Sequence, residues 1–403
     1  MAIQVAPENV IGRDDLIKKI WRKLKKSSLR LTAERRIGKT TVMTKMAAEP
    51  ESGFEVFFME VEGIESPDRF TELLINRIRP LLSKSTKAKG WLDTFREAIG
   101  GTEIGGVIKL PEKSRMGWQA TLEKTLEGLC ENQSDKTIVL LLDELPYMLQ
   151  KVASSGAEGD QKTLALTFLD TLRSIRQQQT NLRMVFAGSV GLHHVVTDLK
   201  QEKLASEPLN DMPLVDIHAL GDDYALKLAS RLFEEEEVTC SEGDLQKIQQ
   251  RLIELTDCVP FYIESVCGRL GELEKPITSK IVEETVQQQL TSDLDPWEME
   301  HFRSRLAIYY SGVTSDTNGG EISNDKIARA ILDHMATVTD PQSIEQVWAV
   351  VKTQFAVADR QNIVQMLKSL SMDHYLVSDL QKQYSFRFPL IRSWWKMAQG
   401  LAG

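Results

Sequence analysis

The stretch Leu29–Thr41, LRLTAERRIGKTT, decides how the chain is read. A short apolar run, SSLRLTA, has the composition of a β-strand, and Gly38-Lys39-Thr40 follows where a helix begins. A strand, a glycine-rich turn and a helix opening with lysine and a hydroxyl residue form the phosphate-binding loop pattern G-x-x-x-x-G-K-[ST]. The geometry explains the residue types. Glycine lets backbone N–H groups converge on phosphate, and the helix N-terminus adds the positive end of its dipole. The lysine reaches the terminal phosphates, and the next hydroxyl is a magnesium ligand. The pattern also asks for glycine at position 33, where this chain has Ala33. Alanine is the smallest replacement and is costly only if the site needs positive φ. Gly-Lys-Thr by itself also arises by chance, so the motif needs independent support.

Support comes about a hundred residues later. TIVLLLDEL, Thr137–Leu145, is apolar enough for a strand buried on both faces, and it ends in Asp143-Glu144. An aspartate at that place holds magnesium, and an adjacent glutamate orients and deprotonates an attacking water. The plainer alternative is that the two acids cap the next helix. A third element, LRMVFAGSV, Leu182–Val190, puts Ser189 at another strand end. There a hydroxyl can meet a γ-phosphate, or simply close a turn.

Outward from these motifs, the strand grammar repeats. FEVFFMEVEG (Phe54–Gly63) and PLVDIHAL (Pro213–Leu220) complete a set of five strands separated by helical stretches. Such a pattern predicts a five-stranded parallel sheet with helices on both faces. GTEIGGVIKLP, Gly101–Pro111, reads as a small hairpin or loop whose glycines serve turns. From Gly221 to about Gln289 the pattern is helical, TSDLDP (Thr291–Pro296) reads as a linker, and the last hundred residues give three helices and then two β-rich runs around a polar turn. Three helices followed by a hairpin is the order of a winged helix-turn-helix.

Composition bounds the rest. The chain has 403 residues, 42% hydrophobic and 27% charged, as in an ordinary globular protein of two or three domains. No run approaches the roughly 18 to 20 apolar residues of a membrane span, and MAIQVAPENV lacks the pattern of a secretory signal. Cys130, Cys240, Cys258 and Cys267 show no C-x-x-C spacing and read as thiols of a reducing cytoplasm. The net charge of −9 is uneven: Pro213–Asp295 has seven Lys/Arg against eighteen Asp/Glu, and the residues after it have eleven of each. That balance argues against a protein built to coat nucleic acid. Lys18, Lys19, Lys23, Lys25 and Lys26, on a helix with Leu16, Ile20 and Leu24 inward, read as a solvated face rather than a binding patch.

Taken together, the chain resembles the STAND-like P-loop ATPases of the archaeal ATPase type, relatives of AAA+ and origin-initiator ATPases. NVIGRDDLIKKI, with Ile11 and Gly12, resembles the family's N-terminal adenine-pocket box. ERRIGKTTVMTKM, LLLDELPYML and FAGSVGL resemble its phosphate loop, Walker B strand and sensor 1, and YSFRFPLIRSWW resembles its wing. The resemblance implies an ATPase core over residues 1–220, a helical lid over 221–292 and a winged helix over 296–403. It implies ATP bound by Ile11, Gly12, Arg36, Ile37, Gly38, Lys39, Thr40, Thr41 and Pro260, magnesium on Thr40 and Asp143, and hydrolysis by Glu144, Lys39 and Ser189. The expected role is a cytoplasmic switch ATPase that controls a protein partner or an effector on another chain, in a prokaryotic defence or mobile-element system. A homo-oligomer fits the same picture. The alternative is an ATP-loaded DNA-binding recruiter using the winged helix, although its recognition-helix candidate offers only Arg360 and Lys368.

Two departures weaken turnover more than binding. Asn210-Asp211 stands where the family often has Gly-Arg, and Asp257-Cys258-Val259-Pro260 stands for Gly-Gly-x-Pro. Arg173, Arg176 and Arg183 are then the candidates for a substitute arginine, each also readable as a plain helix-face or surface residue.

Overall fold

Strand β1 (Leu29–Thr32) lies inside its sheet, not at an edge. The computed structural model describes residues 6–82, 102–104, 107–109, 116–155, 160–188, 191–199, 207–241, 243–273, 275–310, 312–315, 320–355 and 359–401. With β2 (Phe54–Glu60), β5 (Thr137–Asp143), β6 (Leu182–Ala187) and β7 (Leu214–Asp216), β1 forms a five-stranded sheet in the order β2-β5-β6-β1-β7. Every pairing is parallel. Six successive residues of β5, Ile138–Asp143, are buried, as a strand covered on both faces requires. β7 is shorter than the run Pro213–Leu220 suggested. Where a small hairpin or loop was expected between the second and third strands, β3 (Thr102–Ile104) pairs antiparallel with β4 (Val107–Lys109).

By the density of contacts the chain divides into two units, residues 1–33 with 38–217 and residues 34–37 with 218–403. The core of the first unit packs Ile138, Leu140 and Leu142 of β5 against Phe70, Leu126 and Phe168 from the flanking helices. The rings of Phe70 and Phe168 meet edge to face at 5.0 Å. Each such side chain contributes about 1.5–3 kcal/mol on burial. The helix Gly117–Asn132, which no motif marked, supplies Leu122, Leu126 and Leu129 to this core. In the first helix, Asp14–Leu24, the inward residues are Ile17, Ile20, Trp21 and Leu24. The buried stripe is therefore displaced from the expected one, because Trp21 turns inward and Leu16 is left half-buried. Lys18, Lys19, Lys25 and Lys26 are exposed, as a solvated face should be.

The second unit opens with the four expected helices, Asp222–Glu235, Leu245–Leu255, Pro260–Gly271 and Ser279–Thr291. The linker expected over Thr291–Pro296 is tied down instead. The Asp295 carboxylate accepts from the Met299 and Glu300 N–H groups at 2.6 and 2.9 Å, and the buried Trp297 donates its indole N–H to Ser265 Oγ at 2.8 Å. A helix, Glu300–Tyr309, and an antiparallel pair, β8 (Val313–Ser315) with β9 (Glu321–Ser323), follow without having been expected. Then come helices Asn324–Thr337, Ile344–Phe355 and Arg360–Met372, the antiparallel pair β10 (Leu376–Ser378) and β11 (Tyr384–Phe386), and a last helix, Pro389–Ala398. Trp394 and Trp395 of that helix are buried, and Trp395 donates to Asp333 Oδ1 at 2.8 Å. They pack the C-terminal helices together and form no exposed edge of a wing.

Candidate functional site

Gly38 precedes the helix Lys39–Ala48 with φ +96°. A Cβ there would meet only ordinary contacts with Thr41 at 3.8 Å, so the left-handed backbone, not crowding, selects glycine. Ala33 is buried and is not among the residues with positive φ. That position therefore makes no demand that alanine cannot meet. In this loop Arg36 is the non-glycine residue with positive φ, at 71°.

The carboxyl ends of β1 and β5 are separated by β6, which at about 4.8 Å per strand leaves roughly 10 Å to bridge. Two side chains at the helix start bridge it. Lys39 Nζ lies 3.1 Å from Glu144 Oε1 and 3.8 Å from Asp143 Oδ1, and Thr40 Oγ1 donates to Asp143 Oδ2 at 2.6 Å. Lys39 and Asp143 are both buried, with 7% and 1% of their surface exposed. Glu144 has φ 57° and opens the helix Leu145–Ser154, yet its side chain makes no capping bond. Its N–H donates to Asp143 Oδ1 at 3.1 Å. Helix capping thus does not account for the acidic pair. Lysine, a hydroxyl and two carboxylates meet in one partly dry cluster, as phosphate and a divalent cation require.

The N-terminal box lies against the same helix. Pro7–Asn9 forms a short 3-10 turn whose Pro7 carbonyl accepts from Lys45 Nζ at 3.0 Å, and Lys45 also pairs with Asp14 at 3.5 Å. Ile11 and Gly12 are half-buried, and Gly12 has φ 70°. Thr41 is half-buried, and its carbonyl accepts from Thr44 Oγ1. Burial pushes the pKa of Arg13 down to about 10.

The second unit holds the remaining expected residues. Arg36 pairs with Glu298 at 2.7 Å and stacks over the Phe261 ring at 4.1 Å, and Ile37 is buried. Pro260 is the first residue of the helix Pro260–Gly271. Just before it, Asp257 and Cys258 have φ 50° and 55°, which explains why glycines suit this place in the motif. Ser189 lies outside the described residues.

Asp257 has its own task. Its Oδ2 accepts from the Leu390 N–H at 2.7 Å, satisfying one free donor at the start of the last helix. Burial pushes its carboxyl up to about 7, against the pull of that bond. With the folded pKa raised, the native state holds the proton more tightly than the unfolded chain, so stability falls as pH rises from about 4 through about 7. Asp257→Asn keeps an acceptor oxygen and removes the charge. It is expected to melt above wild type at pH 8 and with wild type at pH 4, as calorimetric scans at both pH values will show.

Two of the substitute arginines are committed to structure. Arg176 forks onto Asp211 at 2.8 and 3.1 Å and donates to the Pro208 carbonyl at 2.5 Å, and Arg183 donates to the Leu24, Thr180 and Leu182 carbonyls. Asp211 thus anchors Arg176. Arg173 is half-buried, and its charge also acts on Asp211. Reading motifs missed Glu34, Glu298 and Arg305; the only hint was an acid placed among the arginines of the loop.

No protein-family model and no curated protein matches the chain. Among solved structures it is similar to a Walker-type ATPase of Pyrococcus abyssi, at 15% identity over 96% of this chain and 97% of that one, with a TM-score of 0.60. The fold is accordingly a P-loop NTPase fold. Two looser likenesses are to the RuvB Holliday junction branch migration motor of Thermotoga maritima (10% identity, 94% of this chain and 93% of that, TM-score 0.40) and to a STAND protein with a tetratricopeptide repeat sensor from Pyrococcus horikoshii (14%, 96% and 42%, TM-score 0.36).

Proposed function

We propose that the chain is an ATP-binding, slowly hydrolysing switch ATPase that controls a protein partner. One observation carries the reading: Lys39 and Thr40, at the start of the helix after β1, meet Asp143 and Glu144, at the end of β5, within 2.6–3.8 Å. No requirement of the fold alone calls for that set of side chains.

The division of labour follows from the residues. The Gly38 turn and the first amides of its helix cradle the phosphates, and the Lys39 amine neutralises their charge. The Thr40 hydroxyl and Asp143 carboxylate are hard oxygen donors sharing a hydrogen bond, a donor set that suits magnesium. Thr40 and Asp143 would hold magnesium, which would supply positive charge to the phosphate oxygens. Glu144 orients the attacking water and accepts its proton. Its carboxylate accepts from Lys39 Nζ at 3.1 Å, the same amine that phosphate engages. Ile11 and Gly12 are proposed to border the adenine.

Slow turnover is the expectation, because Arg176 and Arg183 are spent on structural bonds. Absence of an arginine finger costs on the order of 10³ to 10⁵ in rate. A partner that supplies the missing charge would then trigger hydrolysis. The family resemblance points to an effector on another chain in a prokaryotic defence or mobile-element system, with the helices and hairpin of residues 296–403 as a winged helix. DNA recruitment has less support. Arg360 of the candidate recognition helix is paired with Glu345 at 2.6 Å, and Trp394 and Trp395 are buried.

Affinity capture from the native host, with the protein loaded with a non-hydrolysable ATP analogue and magnesium, tests the reading. A protein partner recovered with the analogue and lost without nucleotide is the expected outcome. Identical recovery in both conditions would remove the switch.

A further inference from the structure

Within the second unit, Arg305 of the helix Glu300–Tyr309 is a deeply buried charge, with 4% of its surface exposed. Its guanidinium forks onto Glu34, also 4% exposed, with NH1 3.2 Å from Oε1 and NH2 3.3 Å from Oε2. The same guanidinium donates to Tyr375 Oη at 2.6 Å and to the Asp373 carbonyl at 2.8 Å. Tyr375 Oη donates in turn to the Phe302 carbonyl at 2.5 Å. The rings of Phe302 and Tyr375 lie 4.9 and 4.2 Å from the guanidinium carbon. Burial disfavours the charge, but the Glu34 carboxylate, with Tyr375 and Asp373, outweighs it and holds the guanidinium pKa above its ordinary value. A buried pair of this kind is costly unless its remaining hydrogen bonds are satisfied, and here four acceptor atoms serve the guanidinium.

Glu34 opens the loop segment that runs into Gly38, and the other residues of that segment are held in the same unit. Glu34 Oε1 also accepts from the Arg35 N–H at 2.8 Å. Arg35 and Arg36 both pair with Glu298, at 3.1 and 2.7 Å, and Arg36 has a left-handed backbone at φ 71°. A loop needed only as a turn would leave Glu34 in water. Instead it is paired with an arginine 271 positions away.

We propose that Arg305 is a positioning residue for the phosphate loop, fixing Glu34 and through it the backbone that leads into Gly38. This deepens the ATP-binding reading and rests on it. A pre-set loop binds phosphate without first losing conformational freedom. By linkage, nucleotide and the packing around Arg305 strengthen one another reciprocally.

The test uses the full chain with Glu34→Gln, Arg305→Met and the double variant, which removes both charges and guards against misfolding from one unpaired charge. Amide hydrogen exchange over residues 34–38 is read without nucleotide, and Mg-ATP affinity by calorimetry. Expected are about tenfold or greater losses of affinity in both single variants, with faster exchange confined to the loop, and a double variant no worse than the worse single one. Wild-type exchange in the folded double variant overturns the positioning role, whatever the affinities. Faster exchange in variants of a protein whose wild type binds no Mg-ATP would support the positioning role and refute the nucleotide reading.

Discussion

Glu144→Gln is expected to lower the rate of ATP hydrolysis by about 10² to 10⁴, the range set by loss of a positioned general base. Affinity for Mg-ATP should hold or rise. Glu144 accepts from the Lys39 amine at 3.1 Å, and that pairing competes with phosphate for the same cation. The amide of glutamine removes the charge and leaves the size of the side chain unchanged. The signature is therefore a split: kcat falls and binding does not. Single-turnover phosphate release measured beside equilibrium titration checks it. A variant that hydrolyses at the wild-type rate would show that Glu144 does not act on the attacking water. A loss of both rate and binding would show a structural role instead.

The legible parts of this chain were those whose chemistry sits in one short segment. Gly38-Lys39-Thr40 and Asp143-Glu144 mark strand ends by themselves, and the continuous apolar run of β5 fixes its burial on both faces. From them the sheet and the meeting of lysine, threonine and two acids could be anticipated. The doubt over Ala33 also resolves locally, since the backbone there does not take positive φ. The helix Gly117–Asn132 was readable in principle from the helical spacing of Leu122, Leu126 and Leu129, but it carries no chemical motif to mark it. The stretch Thr291–Pro296 misled because its polar residues look like a tether. They serve as a cap instead, with Asp295 bonded to two amides. Glu34 with Arg305, and Asp257 with Leu390, could not be read at all. Each pair joins residues more than a hundred positions apart, and a lone acid carries no mark of the partner that will bury it. Arg176 shows the same limit: as a helix-face residue it looked available, and only the fold reveals that Asp211 and the Pro208 carbonyl occupy it.

Lys39→Ala carries the second large effect. The amine is buried between two carboxylates, so its removal deletes the principal cation of the cluster and leaves Asp143 and Glu144 adjacent without it. Charge-assisted hydrogen bonds to phosphate are worth roughly 1.5–3 kcal/mol each, about ten- to a hundredfold in affinity, and uncompensated acids repel a triphosphate further. Loss of Mg-ATP affinity by about a hundredfold or more is expected, with the fold retained because β1, β5 and their core residues are untouched. Calorimetric titration of Mg-ATP into wild type and Lys39→Ala, side by side, shows whether this amine holds the nucleotide. One nucleotide bound per wild-type chain and none detectable in the variant is the predicted result; equal affinity in the two proteins would contradict it.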